Sequence, residues 1–264
     1  MEAGSGRAAH HVQSLERGLA VIKAFGAGAP QLTLSEVAKE TGLTRAAARR
    51  FLLTLADLGY VRSDGRYFSL TAKVLELGYA YLSSLSLPEV VQPHLERLSA
   101  EVHESCSVSV LDGTDIVYVA RVAVSRIMTV SINVGTRFPA HATSMGRVLL
   151  AGLDEDALAD YLREVTFDRL TDHTITSAEK LRAELDAVRE QGWALVDQEL
   201  EEGLRSVAAP IRDRSGKVVA AVNISTHASR TTPESVRTGL VPPLLATAAR
   251  IESDLAVAPA AQVS

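Results

Sequence analysis

Three arginines early in the sequence have the spacing of a nucleic-acid contact. Arg45 and Arg49 are four residues apart, so a helix would place both on one face, and Arg50 follows directly. An arginine can pair with both acceptors of a guanine edge or grip a phosphate, and the sequence leaves both roles open. Six cations and two anions lie between positions 45 and 73. This pattern predicts a DNA contact, with an ordinary solvated helix face as the alternative.

Patterns typical of catalytic and metal sites are missing from the sequence. It has no HExxH, GxSxG, Walker-type phosphate loop or CxxC pair. Glu199, Glu201 and Glu202 lie close together, but acids grouped in a loop are usually solvated. The single cysteine, Cys106, excludes an intramolecular disulfide and fits a reducing cytoplasm. We therefore expect no enzyme, no cofactor and no metal site, with an enzyme fused to a DNA-binding module as the alternative.

The elements around the arginines are short helices with clear boundaries. Apolar spacing predicts a first helix from residue 12 to about residue 25, and a second helix that opens at Ser35 and ends at Gly42. Thr44 is the expected N-cap of a third helix, which carries the arginines and ends near Leu58. The residues expected on the inner face of this third helix are Ala48, Phe51, Leu52, Leu55 and Leu58.

A hairpin signal follows the third helix. Two strand-like runs flank Asp64 and Gly65, a favoured tight-turn pair. Two helices joined by a glycine-containing turn and followed by a hairpin predict a winged helix-turn-helix, whose arginine-bearing helix enters the major groove. Thr44 at the start of that helix, and Arg62 and Arg66 beside the wing turn, therefore join the three arginines as candidate DNA contacts.

Composition and charge fit two globular domains of different character. The 264 residues are 47% hydrophobic and 22% charged, which are ordinary globular values. Residues 1–85 carry ten Lys and Arg against seven Asp and Glu, whereas the remainder carries seventeen against twenty-five. We expect only the first part to meet a polyanion. There is no apolar run of membrane-spanning length, and the N-terminal residues MEAGSGRAAHH lack the apolar core of a signal peptide, so we expect no membrane partner.

The rest of the sequence mixes helical and strand-like segments, which predicts an α+β fold with one antiparallel sheet flanked by helices. Thr176 and Glu179 have capping-box spacing. The predicted helices cover 71–84, 88–104, 144–151 (opening at Ser144 or Met145), 154–163, 177–191 and 233–256. The predicted strands cover 105–111, 115–122, 126–132, 206–213 and 217–226. The expected divisions are a flexible tail at 1–11, the winged domain at 12–70, a linker helix at 71–87, the larger domain at 88–257, and a tail at 258–264.

Several segments together resemble the IclR family of transcriptional regulators. They are SLERGLAVIKAF, LTLSEVAKETGLTRAAARRFLLTLADLGYV, HATSMGRVLLA and GWALVDQELEEGLRSVAAPIRD, and the resemblance covers about residues 12–255. The chain has Val196 where the family usually has Asp or Ser, and Arg212 where it prefers an aromatic residue or His. Both departures resemble the branch that controls the β-ketoadipate pathway of aromatic-acid catabolism.

The resemblance implies a winged helix-turn-helix, a linker helix and a GAF-like effector-binding domain. It implies homodimers or dimers of dimers, which bind an operator in double-stranded DNA in the cytoplasm. The implied effectors are protocatechuate, p-hydroxybenzoate and β-ketoadipate, without a choice among them. The branch includes activators, so RNA polymerase is a further candidate partner. Regulation of another carboxylate pathway, or a winged helix that contacts protein, are the alternatives.

The loop HATSMG offers donors for such an acid. If a helix starts at Ser144, the amides of Met145, Gly146 and Arg147 lack intrahelical partners and point outward at the positive end of the helix dipole. Thr143 and Ser144 add hydroxyls, and Gly146 has no side chain to block a close approach. Alternatively, Ser144 is only the N-cap.

The resemblance adds further candidate effector contacts. Asn223 and Ser225 alternate along one predicted strand and so can face the same side. His141 is a candidate that fits equally well a role in satisfying a backbone group. The full set of candidates is Met128, Arg137, His141, Thr143, Ser144, Met145, Gly146, Asp197, Ser206, Asn223 and Ser225. An ordinary polar strand residue is the alternative for each of the last three.

Overall fold

The computed structural model describes residues 11–26, 28–77, 87–124 and 132–257. The chain divides into two compact units, residues 1–83 and residues 84–264. The effector candidate Met128, nearly all of the predicted strand at 126–132, and the second half of the predicted helix at 71–84 lie outside the described residues. The described start of that helix is a 3-10 turn, Ala72–Val74.

The first unit is the predicted winged helix-turn-helix. Its helices are α1 (Gln13–Lys23), α2 (Leu34–Thr41) and α3 (Arg45–Asp57), and its strands are β1 (Leu32–Thr33), β2 (Val61–Ser63) and β3 (Tyr67–Leu70). The strands pair in the order β1-β3-β2. Strand β1 was not predicted, because two residues are too few to show a period of two.

Side-chain caps determine where both helices of the motif begin. Thr33, rather than the predicted Ser35, caps α2: Glu36 donates its amide to Thr33 Oγ1, and Glu36 Oε2 accepts from the Thr33 amide at 2.7 Å. The amide and the hydroxyl of Thr33 both donate to this carboxylate, and these bonds lower the pKa of Glu36. Gly42 ends α2 with φ 65°, the left-handed geometry that glycine favours. Thr44 caps α3 as predicted, accepting from the Ala47 amide at 3.2 Å.

The core of the first unit confirms most of the predicted inner face of α3. Ala48, Leu52 and Leu55 are buried and Phe51 is partly buried, packed against residues of α1 and α2. Leu58 is an exception, with 54% of its surface exposed. Leu58 is the C-cap residue of α3, still with helical backbone angles, and Gly59 with φ 81° ends the helical path directly after it.

The second unit confirms the predicted α+β class, with one antiparallel sheet flanked by helices. Its strands are β4 (Ser105–Asp112), β5 (Asp115–Val122), β6 (Arg137–Pro139), β7 (Ala194–Asp197), β8 (Leu204–Arg212) and β9 (Val218–His227). They pair in the order β6-β5-β4-β9-β8-β7. The helices are α4 (Leu87–Val102), α5 (Ser144–Ala151), α6 (Glu155–Glu164), α7 (Ala178–Gln191), α8 (Pro233–Gly239) and α9 (Val241–Val257).

Two layers of helices cover the two faces of the sheet. Helix α5 packs on β8 and β9, where small residues such as Ala208 and Ala221 leave room for it, and α7 packs behind α5. Val207 and Ala209 alternate with Ala208 along β8 and face the other way. Helices α4 and α9, which also contact each other, cover the sheet on that side.

Two predicted boundaries in the second unit are wrong. Ser177, not Thr176, caps α7, because it is Ser177 Oγ that accepts from the Lys180 amide. The predicted helix at 233–256 is two helices that meet at Leu240. Pro242 and Pro243 have no amide to donate to a preceding turn, so they fit only the first turn of a new helix. No described helix is long and apolar enough to cross a membrane.

Candidate functional site

Helix α3 exposes its arginines as predicted. Its buried residues face α1 and α2, which leaves Arg45, Arg49 and Arg50 exposed on the outer side. In the described parts of the chain, no carboxylate lies within 4.0 Å of these three side chains, so their charges are not neutralised there. The first turn of α3 carries no acid. This surface can therefore bind a polyanion.

The wing turn presents two more cations on an ordered hairpin. Asp64 Oδ1 accepts from the amides of Arg66 and Tyr67 at 3.0 and 2.7 Å, and these bonds lower the pKa of Asp64. Arg66 lies over the Tyr67 ring, 5.2 Å from its centroid. Arg62 donates to Ser69 Oγ at 3.0 Å. Both arginines remain exposed, so the contacts orient the cations without neutralising them.

In the second unit, the sheet face under α5 carries a buried row of polar side chains. Ser107 on β4 lies opposite Asn223 on β9, which in turn lies opposite Ala208 on β8. Two residues along, Ser225 lies opposite Ser206. Residues opposite each other in an antiparallel pair share a face, so the register gathers side chains from distant parts of the sequence.

Hydrogen bonds join this row to the start of α5 and to β5. Ser144 Oγ donates to Ser206 Oγ at 2.9 Å, and Asn223 Nδ2 donates to Ser225 Oγ at 3.0 Å. On β5, the Arg121 guanidinium donates to Ser107 Oγ at 3.1 Å. We call this set the polar cluster; its members are Ser107, Ser109, Arg121, Ser144, Ser206, Asn223 and Ser225.

Three atoms of the polar cluster are buried without a hydrogen-bond partner among the described residues. They are Ser109 Oγ, Arg121 Nε and Asn223 Oδ1. Buried polar atoms are nearly always paired, with protein or with another molecule. Two donors and an acceptor in one cluster therefore make it the candidate site for a polar ligand.

Arg121 gives the polar cluster its charge. Burial lowers the pKa of its guanidinium, because a low-dielectric environment disfavours the charged form. No carboxylate of the described residues lies within 4.0 Å of it, in contrast to the buried Arg147 and Arg205, which have acidic partners. A bound anion would supply the missing charge.

Helix α5 begins at Ser144 as predicted, and the alternative in which Ser144 is its N-cap is wrong. Thr143, not Ser144, is the N-cap: its Oγ1 accepts from the Gly146 amide at 3.1 Å, and its carbonyl accepts from the Arg147 amide at 3.0 Å. The amides of Gly146 and Arg147 are therefore paired and cannot bind an effector. Of the three predicted donors, only the Met145 amide has no acceptor among the described residues. The Ser144 amide, which was not predicted, is a second free donor of the first turn by the same criterion.

Gly146 serves packing rather than the approach of a ligand. A Cβ at this position would lie 2.0 Å from the carbonyl oxygen of Ala140. The 3-10 turn Ala140–Ala142 therefore packs directly on α5. His141 in this turn is fully buried, 5.3 Å from the Phe167 ring between centroids, and burial lowers its pKa. Met145 is buried in the apolar core beside the cluster.

Two predicted effector contacts are engaged elsewhere. Asp197 forms a two-point ion pair with Arg205 at 3.0 and 2.8 Å. It lies opposite Arg205 in the sheet, on the face away from Ser206. Arg137 pairs with Asp112 and Asp115 at the exposed β4–β5 turn. The structure does not bring either residue into the polar cluster.

Arg121, Ser107 and Ser109 were missed as site residues by sequence reasoning. The signal was present in SCSVSVL, where serines alternate along an otherwise apolar strand. On a buried strand this pattern places all the hydroxyls on one face. Arg121 could not be found in this way, because its position opposite Ser107 depends on strand register.

Glu199, one of the three acids considered for catalysis, has a structural role. Glu199 is buried and pairs with Arg147, whose guanidinium donates to Glu199 Oε2 at 2.6 Å. Within the described ranges, no group of three His, Cys, Asp or Glu side chains could hold a metal ion.

Comparison with known families matches both units. Residues 14–65 match the IclR helix-turn-helix domain, and residues 79–253 match the bacterial transcriptional regulator IclR C-terminal domain. The chain is similar to the Pca regulon regulatory protein of Pseudomonas putida, with 49% identity over 88% of this chain and 80% of that protein. The matched families and this relative are transcriptional regulators, not enzymes.

Two solved structures of regulators have folds similar to that of this chain. A transcriptional regulator from Rhodococcus sp. RHA1 is 63% identical, with a TM-score of 0.83 over 93% of this chain and 98% of its own. An IclR homologue from Microbacterium hydrocarbonoxydans, solved in complex with 4-hydroxybenzoate, is 25% identical, with a TM-score of 0.81 over 92% of this chain and 98% of its own.

Proposed function

The chain belongs to the IclR family of bacterial transcriptional regulators, and on this premise we infer that it controls aromatic-acid catabolism in response to a hydroxybenzoate-class acid. DNA binding resides in the first unit and effector binding in the second. The observation that carries the effector assignment is the buried polar cluster, in which the described residues leave two donors and an acceptor without partners around one cation, Arg121.

The exposed arginines of α3 are the proposed operator contacts. Arg45 and Arg49 share the face that would enter the major groove, and Arg50 flanks them. Thr44 at the helix start and the wing residues Arg62 and Arg66 are placed to contact phosphates or the neighbouring minor groove. Phosphate contacts would make binding strongly salt-dependent, because each releases counterions from DNA.

The effector carboxylate is proposed to bind Arg121, with Ser107 alongside. Arg121 Nε lacks a partner among the described residues, and a carboxylate would satisfy both its charge and this donor. Tyr118 and Met145 provide apolar surface for the ring. Ser144, Ser206 and the Ser144–Met145 amides at the other end of the cluster would meet a ring hydroxyl.

The charge of the site favours a monocarboxylate. The polar cluster contains one cation among its described residues, and an unpaired buried charge is costly. A hydroxybenzoate carries one carboxylate, whereas β-ketoadipate carries two. The solved homologue holds 4-hydroxybenzoate. Protocatechuate and p-hydroxybenzoate are therefore the preferred effectors, and β-ketoadipate is the second candidate.

A second copy of this chain is the proposed partner of α1. Leu15 and Leu19 of this helix are 63% and 44% exposed, and with Phe51 they line an apolar groove of about 350 Å³. Exposed apolar grooves of this kind typically mark interfaces. Pairing through α1 would form the homodimer, or dimer of dimers, that reads two half-sites.

We propose that the protein acts in the cytoplasm. If it activates transcription, RNA polymerase is a further partner.

Regulation follows if the effector binds one arrangement of the dimer better than another. A ligand shifts such an equilibrium only through its difference in affinity for the two states. The effector domains would then set the spacing of the two DNA-binding units.

The decisive experiment measures binding of the purified chain to its own upstream DNA, titrated with p-hydroxybenzoate, protocatechuate and β-ketoadipate. Salt-sensitive binding that one hydroxybenzoate modulates supports the proposal. A response to β-ketoadipate alone would show that the effector is this dicarboxylate and not a hydroxybenzoate. Specific binding without any response removes the pathway assignment, and no specific binding to this DNA or to a genomic fragment pool contradicts the regulator itself.

A further inference from the structure

Arg147 is the largest fully buried side chain of the described residues, with 2% of its surface exposed. It lies on α5, one turn after Ser144. Its Nε donates to the His141 carbonyl at 3.3 Å, and its Nη2 donates to Glu199 Oε2 at 2.6 Å. Glu184 on α7 lies 3.8 Å from Nη1. One guanidinium therefore holds the turn before α5, a neighbouring helix and a distant loop.

Glu199 extends this connection through the loop between β7 and β8. Its Oε2 also accepts from the Ile175 amide at 3.0 Å. Its carbonyl accepts from Thr174 Oγ1 at 2.7 Å, and the neighbouring Gln198 carbonyl accepts from Thr171 Oγ1 at 2.7 Å. The loop is thus fixed to the segment before α7, and it leads directly into β8, which carries Ser206.

The ion pair lies next to the site without belonging to it. Ser144 and Arg147 are three residues apart, so they are neighbours on one side of α5. Ser144 bonds to Ser206 inside the polar cluster, while Arg147 bonds to Glu199, seven residues before Ser206. Two polar anchors therefore connect α5 to the segment containing β8, one inside the cluster and one outside it.

We propose that Arg147 and Glu199 are positioning residues for the effector site: their ion pair fixes the first turn of α5 against β8. A buried ion pair is weak as a source of stability, because desolvation of both charges offsets their attraction. Its directional contacts instead select one placement of the helix. This assignment rests on the proposed function, since the site being positioned is the effector site.

The test removes both charges together. Arg147→Met with Glu199→Gln eliminates the pair but keeps an acceptor for the Ile175 amide, and removing both partners avoids leaving one buried charge. The matched control is Arg230→Met with Glu104→Gln, which removes an ion pair of 3.2 Å in the same unit while keeping an acceptor for Thr226 Oγ1. Arg147→Lys is a third variant, which keeps the positive charge but lacks the several coplanar N–H donors of a guanidinium.

Three measurements are made on the full chain: the free energy of unfolding, hydrogen exchange of the α5 first-turn amides without ligand, and calorimetric Kd for p-hydroxybenzoate and protocatechuate. We expect the α5 double variant to unfold like the control, to exchange faster at the hydrogen-bonded amides of residues 146–148, and to bind about tenfold more weakly. Arg147→Lys should have exchange rates and Kd values between those of the double variant and those of the wild type. The control should match the wild type in exchange and Kd.

Unchanged exchange and Kd in the double variant would overturn the positioning role, as would a loss of affinity explained by the unfolded fraction alone. A wild-type chain that binds neither acid contradicts the proposed effector class. In that case the hydrogen-exchange difference between the double variant and the control still decides whether the pair fixes α5.

Discussion

Ser144 Oγ donates a hydrogen bond of 2.9 Å to Ser206 Oγ, which joins the first residue of α5 to strand β8 across 62 positions of sequence. Both side chains are buried. The bond closes one end of the polar cluster, and Arg121 with Ser107 forms the other end. The cluster crosses β5, β4, β9 and β8, so its width is on the order of three strand spacings, about 14 Å. A small aromatic acid fits this width when the side chains reach inward.

Arg121→Met should weaken hydroxybenzoate binding without unfolding the chain. A charged hydrogen bond contributes roughly 1.5–3 kcal/mol, so we expect Kd to rise about 10- to 100-fold. Calorimetric titration checks this. Arg163→Met is the control, because Arg163 is an exposed cation on α6. An unchanged Kd for Arg121→Met would remove the proposed carboxylate contact.

Asn223→Leu should abolish the effector response and leave operator affinity intact. Asn223 Oδ1 has no partner among the described residues, so its loss orphans only the Ser225 hydroxyl. The free energy of unfolding should therefore fall by roughly 1–3 kcal/mol. DNA binding measured with and without p-hydroxybenzoate gives both readouts. A normal dose response would exclude Asn223 from the site.

Arg49→Ala should reduce operator affinity in a way that identifies its contact. A base contact costs roughly 1–3 kcal/mol and relaxes specificity at one base pair. A phosphate contact instead weakens all sequences alike and lowers the salt dependence by about one ion. Fluorescence anisotropy at several salt concentrations separates the two, with Arg163→Ala as the control. Wild-type affinity and salt dependence would refute a role for Arg49.

Gly146→Ala should destabilise the second unit. The added Cβ would lie 2.0 Å from the Ala140 carbonyl oxygen, so α5 or the preceding turn must move, at a cost of roughly 1–3 kcal/mol. Gly239→Ala is the matched control, because a Cβ there meets nothing within 4 Å. Urea unfolding compares the two. Equal stability of both variants would contradict the close packing of α5 on the turn.

Stability should fall as the pH drops below about 6.5, partly through His141. Burial lowers the folded-state pKa of His141 from its ordinary 6.5. The unfolded chain then binds a proton more readily than the folded one, so the free energy of unfolding decreases from pH 6.5 downward until the folded-state pKa is passed. His141→Phe should flatten this dependence. Parallel curves of unfolding free energy against pH for the two proteins would show that His141 contributes nothing.

Residue types at neighbouring positions are enough to predict the elements whose signals are local. Thr44 as N-cap, Gly42 as the end of α2, the Asp64–Gly65 turn and the outward arginines of α3 all follow from residues within a few positions of each other. A helix cap or a turn is set by the backbone groups next to it, so nearby residue types are enough to predict it. The mixture of helical and strand-like segments extended this to the α+β class of the second unit.

The composition of the candidate site, in contrast, depends on long-range strand pairing. Arg121, Ser107 and Asn223 become neighbours through the register of β5, β4 and β9, and a shift of one residue would turn each side chain to the opposite face. The same long-range pairing places Asp197 against Arg205 and away from Ser206. Register depends on how whole strands bury their apolar faces together, and no local spacing records that.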